Sequence, residues 1–263
     1  MANYITNEVL SEAYTHLDIE LFQDKIKLEQ LRQELTNFYH DRASFLFGAN
    51  VEIKVIFEEG SLRTRIVAIG SAAVMIGAVV ADYGSFRESI IQLSSDAVSL
   101  AQAANLEVIF RTKTPYCDRI RVEKRKGIFG RVSALLSELD AVSSMIDSSR
   151  LPTSTHKLNE ANAAIDRLLD WDSNVDALFT KFDGPDTEAC IAEGLLVELK
   201  KVPRKFVWHE ELSKSNFQVQ LMSGDPEFSG KVAATATRYQ VSLKAVEKKL
   251  KDRISQSLIQ RNS

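Results

Sequence analysis

Sixteen consecutive residues, Ile66–Ala81, carry no charge, and among them only Ser71 bears a hydroxyl. A run of this kind belongs either in lipid or inside a folded protein. As a helix it spans about 24 Å at about 1.5 Å per residue, slightly short of the roughly 20 residues of a bilayer crossing. Arg63 and Arg65 stand at one end, where they can snorkel, and Tyr83 and Phe86 stand at the other as interfacial aromatics. Ala73, Gly77 and Ala81 recur every fourth residue, and Gly70 lies a heptad before Gly77. Small residues at that spacing let helix backbones approach closely in a membrane. They fit a crowded protein core as well. The segment is therefore expected to be a membrane-entering helix or, in the alternative, a buried central helix.

The rest of the chain reads as mainly α. Only 11 glycines and 5 prolines interrupt 263 residues, too few for the special turns of an all-β fold. From about Asn7 to Phe47 a long helix is expected, with Leu17, Leu21, Leu28, Leu31, Leu35 and Phe38 at four- and three-residue steps and Asp24 inside that seam. It serves either an intramolecular bundle or an intermolecular coiled coil. Val51, Ile53 and Val55 alternate with Glu52 and Lys54, a strand signature, and Leu106–Phe110 suggests a second strand. Phe86, Ile90, Leu93, Ala97, Leu100 and Ala104 form an apolar stripe opposite Glu88, Gln92, Ser95, Ser99 and Gln102. The polar stripe suits a solvated surface helix and equally a water-filled pore wall. Further helices follow over Val132–Ile146, Leu158–Phe182 and Asp186–Glu198. Phe206–Trp208 with Phe217, Val219 and Leu221 suggests a short hairpin, and a last helix starts after Gly230. The expected organisation is an N-terminal helix and strand (1–60), a membrane-inserting and amphipathic helical segment (61–106) and a C-terminal helical, ligand-binding domain (107–263).

No catalytic constellation is apparent. His16, His40, His156 and His209 stand apart from each other and from Cys117 and Cys190, so no zinc pair forms by spacing. No phosphate-binding glycine loop and no nucleophile elbow occurs. The chain reads as a non-enzyme without cofactor or metal. Its N-terminus lacks the features of a secretory signal, and two cysteines make no disulfide framework.

Arg111–Arg131 holds eight basic residues against Asp118 and Glu123, within a chain of net charge −3. Arginine and lysine at this density can bind phosphate oxygens, and Gly127-Ile128-Phe129-Gly130 resembles a glycine-framed loop that can approach a nucleic-acid backbone. A solvated loop and a contact with anionic lipid are the other readings.

Val51–Ile90 resembles the central region of membrane effectors of Hailong-type bacterial anti-phage defence, which are encoded beside nucleotidyltransferase-like proteins. The matching features are Glu58-Glu59-Gly60-Ser61, Arg63 and Arg65, the small-residue helix, and Tyr83-Gly84-Ser85-Phe86-Arg87. The resemblance implies an oligomeric, tetrameric ion channel in the inner membrane. In that family a DNA oligomer made by the partner enzyme holds the channel shut, and its loss permeabilises the membrane and arrests growth. Arg119, Arg121, Lys124, Arg125 and Lys126 are then the candidate oligonucleotide contacts, chosen by charge. Gly70, Ala73, Gly77 and Ala81 would pack the membrane helices, and Glu88, Gln92, Ser95, Ser99 and Gln102 would line the pore in a hairpin that returns through Phe86–Ala104. The alternative function is a soluble, cytoplasmic helical scaffold or adaptor acting through Leu17–Phe38 and the C-terminal helix.

Overall fold

The strand that begins after Val51 has a second one behind it, from Arg63 through Ile69, which takes in the start of the apolar run. In the computed structural model, which describes residues 8–21, 24–48, 50–58, 61–182, 184–212 and 226–261, the segment from Ile66 is divided between a strand and a short helix. Two compact units are present, Met1–Ser133 with Lys181–Thr187, and Ala134–Thr180 with Glu188–Ser263.

The first unit contains β1 (Val9–Leu17), α1 (Lys25–Phe47), β2 (Glu52–Glu58), β3 (Arg63–Ile69), α2 (Ala72–Tyr83), α3 (Phe86–Thr112) and β4 (Arg119–Arg125). The strands form one sheet in the order β2-β3-β1-β4, and every neighbouring pair is antiparallel. A β-α-β-β-α-β chain with this order is the split β-α-β, or ferredoxin-like, arrangement, here with α2 added to the second crossover.

Both crossover helices lie on one face of the sheet, held by named contacts. Ser11 Oγ donates to the Ala97 carbonyl at 2.7 Å, and Tyr39 Oη donates to Ser11 Oγ at 3.2 Å. Thr15 Oγ1 donates to Asn105 Oδ1 at 2.5 Å. Small residues meet small residues here: Ser11, Ala13 and Thr15 of β1 and Ala97, Ala101 and Ala104 of α3 are all buried. The helix therefore sits close to the strand, and its approach supplies the partners that the buried hydroxyls require. On α1 the buried positions are Leu31, Leu35, Tyr39, Ala43 and Phe47, a four-residue step that keeps one side against the sheet.

Several expectations need correction. No helix of the described residues is long and apolar enough to cross a membrane. Ile66–Ile69 belongs to β3, an interior strand buried on both faces, and such strands read as continuous apolar runs. Ser71 then caps α2, its hydroxyl accepting from the Val74 N–H at 3.4 Å, and Gly84 at φ 72° ends it. The remaining helix has 12 residues, about 18 Å. The membrane-entering helix of the expected fold class is thus a strand, a turn and a short helix. The expected helix from Asn7 is also split, because Val9–Leu17 is β1 and Asp24 is the N-cap of α1, accepting from the Lys27 N–H at 3.1 Å. Leu106–Phe110 forms the last turns of α3 instead of a strand.

In the second unit, residues from Ala134 onward continue α4 (Gly127–Ser148) and are followed by α5 (Thr155–Phe179), α6 (Pro185–Leu199), α7 (His209–Leu212) and α8 (Pro226–Arg261). The three-and-four spacing of Val232, Ala236, Tyr239, Leu243, Val246 and Leu250 buries one stripe of α8. Trp171 Nε1 donates to the Leu135 carbonyl at 2.8 Å, and Tyr239 packs on Phe206, which stacks on Trp208 at 4.8 Å. Phe206–Trp208 is a turn, and Phe217, Val219 and Leu221 lie outside the described residues. An ion cluster joins α5 to α8: Lys249 reaches Asp172 at 2.9 Å and also meets Asp176, while Arg253 bonds Asp176 at 2.7 Å and Glu188 at 2.9 Å.

Two glycines separate a tolerant site from a strict one. A Cβ on Gly77 meets nothing within 4 Å, so Gly77→Ala is expected to stabilise α2 by about 0.5–1 kcal/mol through helix propensity, and Gly77→Leu to change stability by under about 0.5 kcal/mol. Gly127 has φ +57°, and a Cβ there would lie 2.1 Å from the Val9 carbonyl oxygen. Gly127→Ala is expected to cost more than about 2 kcal/mol. Denaturant titration of the three variants checks the contrast. Burial acts to raise the Asp176 carboxyl, but the hydrogen bonds from Lys249 and Arg253 outweigh it and hold the group below the usual carboxylate range. Its contribution is present above the unfolded-state value and is lost as pH falls through the folded one. Asp176→Asn should therefore lower stability near pH 7 by about 1 kcal/mol for these half-exposed pairs and flatten the acid limb of a stability–pH curve.

Candidate functional site

Strand alternation decides where the basic cluster points. Across the sheet, Glu58, Arg63, His16 and Arg121 form one row, Ile56, Arg65, Tyr14 and Glu123 the next, and Lys54, Val67, Glu12 and Arg125 a third. These rows lie on the face opposite α1 and α3. The central group is Glu12, whose side chain is only 7% exposed. It accepts from Arg65 Nε at 2.8 Å and Nη2 at 3.1 Å, and from Arg125 Nη1 at 2.6 Å. Arg125 also bonds Glu123 at 2.6 Å and lies over the Tyr14 ring at 5.8 Å, while Arg121 pairs with Glu123. Hydrogen bonding from Arg125, with the added charge of Arg121, holds the Glu123 carboxyl below the usual carboxylate range. The face is a compensated ion network and not a field of free cations.

The five candidate oligonucleotide contacts do not converge. Arg121 and Arg125 point to the ion network; Lys124 points to the α3 side, where its Nζ donates to Gln102 Oε1 at 3.3 Å. The Arg119 guanidinium lies over Tyr116 at 5.3 Å, and Lys126 is exposed just beyond β4. Gly127-Ile128-Phe129-Gly130 is the first turn of α4, with Ile128 and Phe129 buried, so it is no open phosphate loop.

The proposed helix-packing residues are also separated. Gly70 lies between β3 and α2, and a Cβ there would be 3.0 Å from Leu10 Cδ1 and 3.1 Å from the Asn50 carbonyl oxygen. Ala73 is half-buried on α2, Gly77 faces open space, and the Ala81 side chain falls outside the described ones. The candidate pore stripe is the outer side of α3. Glu88 closes the helix N-terminus with Ser85, and Gln92 Nε2 donates to Asp96 Oδ1 at 3.0 Å. Ser95, Ser99 and Gln102 are exposed.

A cavity of about 430 Å³ is lined by Glu8, Gly70, Ser71, Asp186 and their neighbours. Its Glu8 carboxylate is committed to the backbone N–H of Ala72 at 2.7 Å, which fixes the turn between β3 and α2. No group of three or more metal-ligating side chains comes together among the described residues.

What the sequence reading missed is the outer side of β4. Among the described residues the strand pairs with β1 alone, and it exposes five of its seven residues. At the opposite edge, Arg32 donates to the Val55 carbonyl at 2.7 Å and covers the Phe57 ring at 5.0 Å. Beside β4 lie apolar side chains left in water: Ile120 is 56% and Val122 43% exposed on the strand, and Leu106 is 57% and Phe110 74% exposed on α3. Helix and strand run antiparallel. Four helical residues advance about 6 Å and two strand residues about 6.8 Å. Starting from the Gln102–Lys124 contact, Leu106 therefore comes level with Val122, and Phe110 lies one turn further along α3, toward the register shift at Ile120. The available signal was the alternation of Ile120 and Val122 with charged residues, which the basic composition of the segment obscured.

Removing Glu12 leaves Arg65 without its buried partner. Glu12→Ala should cost about 2–3 kcal/mol, whereas Lys126→Ala should change stability by under about 0.5 kcal/mol, both by denaturant titration. No protein-family model, no curated protein and no solved structure matches this chain.

Proposed function

We propose that this chain is a non-catalytic binding scaffold whose docking element is the open edge of β4, which accepts an extended segment of another polypeptide as a fifth strand. The observation that carries this reading is a coincidence on one side of the first unit: a strand with a single neighbour among the described residues, and four exposed apolar side chains on it and on the adjacent α3. Exposed apolar groups scattered singly need no explanation, but a cluster beside an open edge does. Strand addition supplies main-chain hydrogen bonds for affinity and alternating side-chain contacts for specificity. On the α3 side, Ile120, Val122, Leu106 and Phe110 favour β-branched or aromatic residues. On the other side, Arg121 and Arg125 favour carboxylates.

The coiled-coil route to a scaffold has less support. The apolar stripe of α1 is buried in the first unit, and that of α8 is buried in the second. The channel reading has less support as well, since it needs an element that crosses lipid and α2 has 12 residues.

A seven-residue peptide alternating valine with glutamate is a direct probe. It should bind the full chain in an isothermal titration, and Val122→Glu should weaken binding at least about tenfold while leaving the unfolding midpoint unchanged. A peptide that fails to bind a monomeric chain, or that binds the variant equally well, rejects the edge as the docking element.

A further inference from the structure

Resting on that reading, we infer that the strand accepted by β4 is the β4 of a second copy of the same chain, paired antiparallel about a two-fold axis through Val122. The argument is the self-complementarity of Arg119–Arg125. With Val122 facing Val122 of the second copy, Arg121 falls opposite Glu123, and Glu123 opposite Arg121. Opposite charges directly across an antiparallel pair are favourable, and a two-fold interface uses each such contact twice. Within one chain Arg121 and Glu123 already share a face and pair with each other, so both side chains point to the side on which the second copy's partners would lie.

A two-fold axis perpendicular to the sheet keeps equivalent faces together. Both α3 helices then flank the new junction on one side, and both ion networks lie on the other. Val122 and its counterpart meet at the centre, with Leu106 and Phe110 of each copy beside them. The four side chains that one copy leaves exposed become eight around one seam. The pairing is centred on Arg121–Glu123, where the register of β4 with β1 is regular, and the two four-stranded sheets join into one of eight; opposite His16 and Leu17 the register shifts at Ile120, which ends the regular pairing toward Arg119. Arg119 and Arg125, of like charge, lie outside that centre. Both are occupied within their own chain, Arg119 over Tyr116 and Arg125 by Glu12 and Glu123.

Charge exchange tests the pairing in a way that a single-chain role cannot imitate. Wild-type protein should sediment as a species of twice 29.4 kDa. Arg121→Glu alone and Glu123→Arg alone should each weaken self-association at least about tenfold, because each sets like charges opposite one another. An equimolar mixture of the two single variants should associate again, since every position 121 then faces its opposite charge at 123. The double exchange Arg121→Glu with Glu123→Arg should also associate. Far-ultraviolet circular dichroism establishes that each variant is folded. Where one is not, Val122→Cys in a Cys117→Ser, Cys190→Ser background provides the second readout. It should cross-link on mild oxidation, and Lys124→Cys in the same background should not. Wild-type protein that remains monomeric at every concentration overturns the proposal, as does a variant mixture that fails to associate or equal cross-linking at 122 and 124. A monomer that still binds the valine–glutamate peptide leaves the scaffold reading standing without self-pairing; a monomer that does not bind it removes both.

Discussion

The position of β1 in the sheet depends on filling both of its faces without leaving a polar group unpaired. Toward the helices it presents Ser11, Ala13 and Thr15, small enough for α3 to come close, with hydroxyls bonded to Ala97 and Asn105. Toward the other face it presents Glu12, which is nearly buried and compensated by Arg65 from β3 and Arg125 from β4. A buried carboxylate would be costly alone. Here it draws an arginine from each neighbouring strand and so ties the three together. Among the described residues, β2 and β4 are then the edges. Arg32 of α1 reaches over the first, and the second remains exposed.

That edge is where the proposed docking is placed. The polar stripe of α3, the basic residues of β4 and the apolar run before α2 each suggest a separate function when read along the chain. In the fold, the polar stripe is a solvated helix side, the basic residues divide between two strand faces, and the apolar run is an interior strand followed by a capped helix. Beside the open side of β4, exposed apolar area is left at Leu106, Phe110, Ile120 and Val122. The proposed docking role would account for that area, and the proposed two-fold register for the order of charges along β4.

Local periodicity made much of this legible. The alternation at Val51–Ile56 marks β2, and the four-three spacings mark α4, α5 and α8. The stripe from Phe86 to Ala104 correctly divides the sides of α3. The failures share one physical cause, which is long-range partnering. Val9–Leu17 mixes small, polar and acidic residues in a pattern without a clear period, and it becomes an interior strand through partners 86 and 90 residues away. Ile66–Ile69 reads as a continuation of the apolar helix because both of its faces are covered by the fold. The site residues failed for a related reason. Net charge along Arg111–Arg131 is visible in the sequence, but the pairing of Arg125 with Glu12 across 113 residues is not.

Cross-strand proton contacts around Ala13 in an isotope-edited nuclear magnetic resonance spectrum examine the central placement of β1 most directly. Ala13 is registered with Ile66 on one side and Lys124 on the other, so contacts to both residues should appear together. Sequential helical contacts running unbroken from Ile66 into Ala72, with none from Ala13 to either residue, would contradict the sheet and the open edge that follows from it.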